Sequence, residues 1–234
     1  MKITKLASLV VVAVLTLSAC SSNESILPVE ESENALKSYK IKRDATGAYS
    51  IDLDVDENVK TQAFKNEETN KNEFHFYESD NQTSKKQSKE LLIDDQELSI
   101  GFIDTRSNKT SNISIIDDNI EMAKKNLDDT FLSEYSITSN EDGTFDLDFT
   151  VKNQTTVDFV YNQEANIYEI HLEKGKSSER DFSRNFTKLE GEVLRIDFVN
   201  HLVNSMYKGQ YAYRSSRIDK KPKVVIDNGE GSFY

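Results

Sequence analysis

Two residue pairs in this chain could do chemistry together. Glu73 stands two positions before His75, and Glu169 stands two positions before His171. A carboxylate beside an imidazole can hold a proton near neutral pH or share a metal ion. In an extended strand, positions two apart lie on one face. Each Glu and His therefore share a face, opposite Phe74 and Phe76 in one case and Ile170 and Leu172 in the other. Two ligands fall short of the three or four that a zinc site needs. The first reading is therefore of polar residues on the wet face of a strand. Metal binding, pH sensing and a secreted metal-dependent hydrolase are the alternatives.

Asp52, Asp54 and Asp56 have the spacing of the first three calcium-loop ligands, but Glu57 stands where that loop needs glycine and Ala63 where it needs an acid. They are read as the outer face of a strand whose inner face is Ile51, Leu53 and Val55. No nucleophile elbow, phosphate-binding loop, zinc-protease helix or dinucleotide fingerprint occurs. No catalytic residue, metal or cofactor is assigned, and the chain is read as non-enzymatic.

A third constellation is a charge cluster. From position 206 to 223 the sequence MYKGQYAYRSSRIDKKPK carries six basic side chains and one acid. Tyr211 and Tyr213 lie among Arg214, Arg217, Lys220 and Lys221. This is a candidate contact for an anionic wall polymer, lipid headgroups or an envelope protein. Its plainer reading is an edge strand guarded by lysines against pairing with other chains.

The elements that must position these residues read as strands. Phe145, Leu147, Phe149 and Val151 alternate with Asp146, Asp148 and Thr150, apolar side in and polar side to water. YKIKRDATGAYSIDLDV from Tyr39 resembles YSITSNEDGTFDLDFTV from Tyr135, and the offset of 96 runs on without a gap to ELSIGF and VLRIDF. Such self-similarity predicts a duplication. The fold expected is mainly β: two tandem, internally repeated antiparallel modules, sandwich-like, over 39–116 and 135–234, joined by a helix over 117–134. Ile120, Ala123, Leu127 and Phe131 give that helix its spacing. Phe182, Phe186 and Leu189 have similar spacing, so α+β modules are the alternative. KLEGEVLRIDF from Lys188 resembles a turn and strand of immunoglobulin-like domains of bacterial surface proteins, which implies a sandwich for the second module.

The N-terminus carries an address. Lys2 and Lys5 precede a short apolar run that ends Leu17-Ser18-Ala19-Cys20, the pattern of an export signal. The run is too short to span a bilayer. This ending resembles the lipobox of bacterial lipoproteins. The resemblance implies cleavage between Ala19 and Cys20, lipid on the Cys20 sulfur and a protein held on the extracytoplasmic face of a Gram-positive membrane. Residues 1–19 are then signal and 20–38 a flexible tether. Residues 12–19, VAVLTLSA, also resemble the enterococcal sex pheromones cut from such signals, which implies a second role as an octapeptide precursor. Cys20 is the one cysteine, so no intramolecular disulfide forms. Removing residues 1–19 takes away two of 29 basic side chains and none of 41 acidic ones, moving the formal charge from −12 to −14. A surface that acidic argues against nucleic acid as a partner. The expected function is a membrane-anchored, non-catalytic binding module.

Overall fold

The computed structural model describes residues 34–91, 97–117, 131–188, 192–208 and 211–227, and between 202 and 217 it describes the backbone alone. The described residues are all β. Seven strands fall in the first half: β1 Leu36–Arg43, β2 Tyr49–Val55, β3 Val59–Asn66, β4 Lys71–Glu78, β5 Lys86–Leu91, β6 Glu97–Asp104 and β7 Lys109–Ile116. Seven follow: β8 Leu132–Ser139, β9 Thr144–Val151, β10 Thr155–Asn162, β11 Ile167–Lys174, β12 Asp181–Thr187, β13 Val193–Lys208 and β14 Tyr211–Asp227.

They form two sheets. A six-stranded sheet runs β12-β9-β8-β1-β2-β5, and an eight-stranded sheet runs β10-β11-β13-β14-β7-β6-β4-β3. Aromatic rings bridge the sheets, with Tyr39 stacked on Phe102 at 4.9 Å and Tyr135 5.3 Å from Phe198. Alternation makes this possible. The inward residues of β9 are buried, as are Ile41, Ile51, Phe74, Phe76, Ile100, Phe102, Ile196 and Phe198. Each large apolar side chain removed from water contributes about 1.5–3 kcal/mol.

The registers of the halves repeat. Ile41 faces Ile51 and Ile137 faces Leu147; Asn72 faces Ile100 and Tyr168 faces Ile196. Both turns after the first strand need a left-handed residue, and Gly47 and Gly143 supply it at φ 89° and 80°. Where the halves meet, Ile41 lies opposite Ile137 and Ser114 opposite Val225. Those are matching positions, so a two-fold rotation through these two points exchanges the halves.

Several expectations change. The sheets are not wholly antiparallel, because β4 pairs with β6, and β11 with β13, in parallel. The intervening β5 and β12 cross to the other sheet and return the chain in its original direction. The short helix expected around Phe182 and Phe186 is strand β12, in which both residues lie on one face because spacing of four suits a period of two as well. The helix expected over 117–134 lies mostly outside the described residues, but residues 132–134 belong to β8. The offset of 96 is not gapless: β5 and β12 correspond at 95, since Ile51 faces Lys89 while Leu147 faces Arg184. The turn residues 189–191, residues 1–33 with Ala19 and Cys20, and the candidate octapeptide lie outside the described residues.

The largest difference between the halves is a hairpin. The β6–β7 turn needs only Thr105 to Asn108, whereas β13 and β14 continue together from Asn200 and Asp219 to Lys208 and Tyr211. Beyond His201 this arm pairs only with itself among the described strands.

Candidate functional site

The base of this arm gathers the second Glu/His pair into a cluster. Glu169 and His171 stand on the outer face of β11, and the inner face carries Ile170 and Leu172 at full burial. His171 Nε2 lies 3.0 Å from Glu169 Oε2, so that nitrogen carries a proton and donates it. His171 Nδ1 lies 2.8 Å from Nε2 of His201, and the rings stack at 5.1 Å. One proton fits between those two nitrogens. Lys220 Nζ donates to Glu169 Oε1 at 3.2 Å. His201 comes from β13 and Lys220 from β14, so both strands of the arm are tied to β11 through side chains. Burial raises the Glu169 pKa, but hydrogen bonds from His171 and Lys220 and the Lys220 charge outweigh it, leaving the carboxyl below its usual value.

The first pair has different company. His75 Nε2 meets Glu73 Oε2 at 2.9 Å, and Asn66 Nδ2 donates to Glu73 Oε1 at 2.8 Å. The ring lies 4.6 Å from Phe64, and its Nδ1 is 3.4 Å from the Tyr77 hydroxyl. No residue from another hairpin enters this cluster among the contacts described. All three histidines of the chain thus lie on the outer face of the eight-stranded sheet.

The two pairs do not converge. Five strand spacings separate β11 from β4, roughly 24 Å. Neither pair lines the cleft beside Tyr135 and Phe182 or the cleft beside Tyr39 and Phe102. Among those residues no group of three or more His, Cys, Asp or Glu is arranged to hold a metal ion. Asp52 bonds Lys42 and takes a hydrogen bond from Ser88 at 2.6 Å, while Asp56 accepts from the Asn58 amide, so the three aspartates do not form one cage.

Of the basic cluster, Tyr211, Tyr213, Arg214 and Arg217 stand on the arm, and Lys220 and Lys221 at its base. The backbone register pairs Leu202 with Arg217, Ser205 with Arg214, Met206 with Tyr213 and Lys208 with Tyr211.

Sequence reasoning passed over His201. Its signal is weak: it is a third histidine, on a strand position of the same outward parity as Asp197 and Val199. It also passed over a buried polar group. Arg43 Nε donates to Asp117 Oδ2 at 2.6 Å, Tyr49 donates to the same oxygen at 2.9 Å, and the Tyr49 and Tyr135 hydroxyls meet at 2.9 Å. Arg43 is 5% exposed and Asp117 fully buried. Tyr39, Ile41 and Arg43 share inward parity, which is the one clue to an internal arginine.

No family model matches the chain, and no curated protein or solved structure matches it.

Proposed function

We propose that the chain is a lipoprotein held by lipid on Cys20 at the extracytoplasmic face of a bacterial membrane, and that its body is a non-catalytic platform presenting the arm to an anionic partner. The body reads as two copies of one β module, since strand registers repeat across the halves. The observation that carries the functional reading is the break in that repeat. Both halves need the shared strands to fold, but only one adds a hairpin, and that hairpin holds the basic cluster in an acidic chain. The arm is also a two-stranded ribbon, which has little stability in water unless something covers it. A metal-dependent hydrolase finds less support, because its Glu/His pairs stand roughly 24 Å apart. The octapeptide reading is independent of the fold, and VAVLTLSA in culture medium would be its evidence.

The test reverses Arg214, Arg217, Lys220 and Lys221 to glutamate. Binding to bacterial envelope fractions should fall, and added salt should weaken binding by the parent protein. Equal binding by both proteins at low and high salt leaves only the edge-guarding reading. Separately, Cys20→Ala should release the protein from membranes or leave the signal uncut; unchanged fractionation and mature mass would refute the anchor.

A further inference from the structure

Where β1 and β8 pair, the two ends of the pairing carry different side chains. Register sets Tyr135 opposite Arg43 and Tyr39 opposite Ser139. One strand further out, Arg43 faces Tyr49 and Ser139 faces Phe145. The first end is plugged by a long side chain bonded to Asp117, and the Tyr135 and Tyr49 hydroxyls meet beside it. At the second end a serine takes the place of that long side chain, and a phenylalanine the place of the second phenol. At this end a cleft of about 670 Å³ is lined by Tyr39 and Ser139 from one sheet and Phe76 and Phe102 from the other. Small-molecule sites commonly have this size.

The walls of the cleft have a definite chemistry. Phe102 stacks with Tyr39 at 4.9 Å and 26° between planes, and with Phe76 at 6.4 Å and 23°. Rings so nearly parallel offer flat faces to a flat guest. The Tyr39 hydroxyl is buried without a partner, and the Ser139 hydroxyl stands near it. A buried hydroxyl with no bond is costly, and an oxygen on the guest can satisfy it. Ser139 is one rotor long, so it is the neighbour that such an oxygen displaces most easily. Charge at the mouth is balanced. Among the described lining residues Lys37 and Lys109 are matched by Asp104 and Glu141. Lys37 also lies 3.7 Å from Asp56, and Asp104 lies 3.3 Å from Arg106. A mouth without net charge does not favour an ion.

We propose that this cleft binds a small, uncharged, flat ring molecule that carries a hydroxyl or carbonyl oxygen. Its ring lies against Tyr39, Phe76 and Phe102, and its oxygen bonds the Tyr39 hydroxyl. The site belongs to the body and stands independently of the lipid anchor and the arm.

The test titrates the full chain with 2-naphthol, with its oxygen-free analogue naphthalene, and with decanoate as an anionic chain. A ligand that binds only the folded protein raises its thermal midpoint. At a roughly tenfold excess over its dissociation constant, 2-naphthol should raise the midpoint by about 3–6 °C. It should bind about fivefold more tightly than naphthalene. Tyr39→Phe should remove that preference without lowering the midpoint of the unliganded protein. Ser139→Met, which fills the cleft, should abolish binding of both ring compounds. Tyr135→Phe, at the plugged end, should leave the binding constants unchanged. No saturable binding of 2-naphthol overturns the proposal. So does a preference that survives in Tyr39→Phe, undiminished binding by folded Ser139→Met, or tighter binding of decanoate than of 2-naphthol. If Ser139→Met does not fold, the Tyr39→Phe comparison decides alone.

Discussion

Tyr39 and Tyr135 hold the same place in the two halves, 96 positions apart, and meet opposite surroundings. The Tyr135 hydroxyl joins a buried chain through Tyr49 to Asp117 and Arg43. At the other end Arg43 is replaced by Ser139 and Tyr49 by Phe145. The Tyr39 hydroxyl is buried with no hydrogen-bond partner, and the nearby Ser139 hydroxyl does not reach hydrogen-bond geometry. Beside it a cleft of about 670 Å³ opens, lined by Tyr39, Phe76, Phe102 and Ser139 among others. Asn200 and its counterpart Asp104 share one contact and differ in another. Asn200 Oδ1 accepts from the Phe131 amide and Asp104 Oδ2 from the matching Ala35 amide, both at 3.3 Å. Asn200 Nδ2 then donates to the Lys221 carbonyl at 2.9 Å, whereas Asp104 pairs with Arg106. The end that bears the arm holds the buried Arg43–Asp117–Tyr49–Tyr135 chain; the end that receives the chain has no counterpart to it among the described residues. A buried ion pair is a poor source of net stability but resists the loss of one partner, so the contrast can be broken selectively.

Asp117→Ala should have the largest effect. It leaves the Arg43 guanidinium buried without its carboxylate, and the expected loss is about 3–5 kcal/mol. Chemical denaturation measures it. Replacing both partners, Arg43→Met with Asp117→Leu, should restore most of the loss, because neither charge is then buried. If the double variant is as unstable as the single one, packing and not charge governs that end.

Alkali should come next. Burial raises the pKa of Tyr39, Tyr49 and Tyr135. A group whose folded pKa is raised contributes fully below its unfolded value and loses that contribution as pH rises above it. Stability should therefore hold up to about pH 10 and fall beyond it, with the tyrosinate absorbance of these three appearing only on unfolding. Early ionisation of all ten tyrosines in the folded protein would contradict this.

Tyr135→Phe and Tyr39→Phe sharpen the comparison directly. The first removes a hydroxyl paired with Tyr49 and should cost about 1–2 kcal/mol. The second removes a hydroxyl that has no partner, and should be neutral or stabilising. Equal costs would mean that the Tyr39 hydroxyl is satisfied in solution.

How much of this was legible beforehand follows from burial. Strands with one face fully inside, such as β2 and β9, announce themselves by alternation. Strand β5 has one buried residue in six and leaves no pattern. In β12, Arg184 lies between Phe182 and Phe186 on the inner face and stacks on Phe159 at 5.2 Å, which breaks the apolar alternation and leaves a helical spacing in view. The Glu/His pairs were readable as one strand face each. Their partners were not, because His201 and Lys220 reach Glu169 and His171 only through the register of β11, β13 and β14. The basic cluster was readable as charge, but not as an arm.

The smallest expected effect concerns the arm's base. His171 and His201 share one proton at 2.8 Å. Lys220 sets a positive charge against Glu169. Asp158 stands opposite His171 in register and Glu173 opposite His201, and the Arg195–Asp197 pair lies one position along. The folded pKa of Glu169 is lowered, so its contribution is present above the unfolded value and lost as pH falls through the folded one. The arm should therefore loosen as pH falls below about 4.5, where Glu169 loses its charge and with it the bonds from His171 and Lys220. Amide hydrogen exchange should show faster exchange in 202–219 over that range while β1, β2 and β9 stay protected. His201→Ala should give the same loosening at neutral pH, with less than about 1 kcal/mol change in global stability. His75→Ala, whose ring bonds only within its own half, should leave exchange in 202–219 unchanged. Loosening in both variants, or in neither, would separate the histidine contact from the behaviour of the arm.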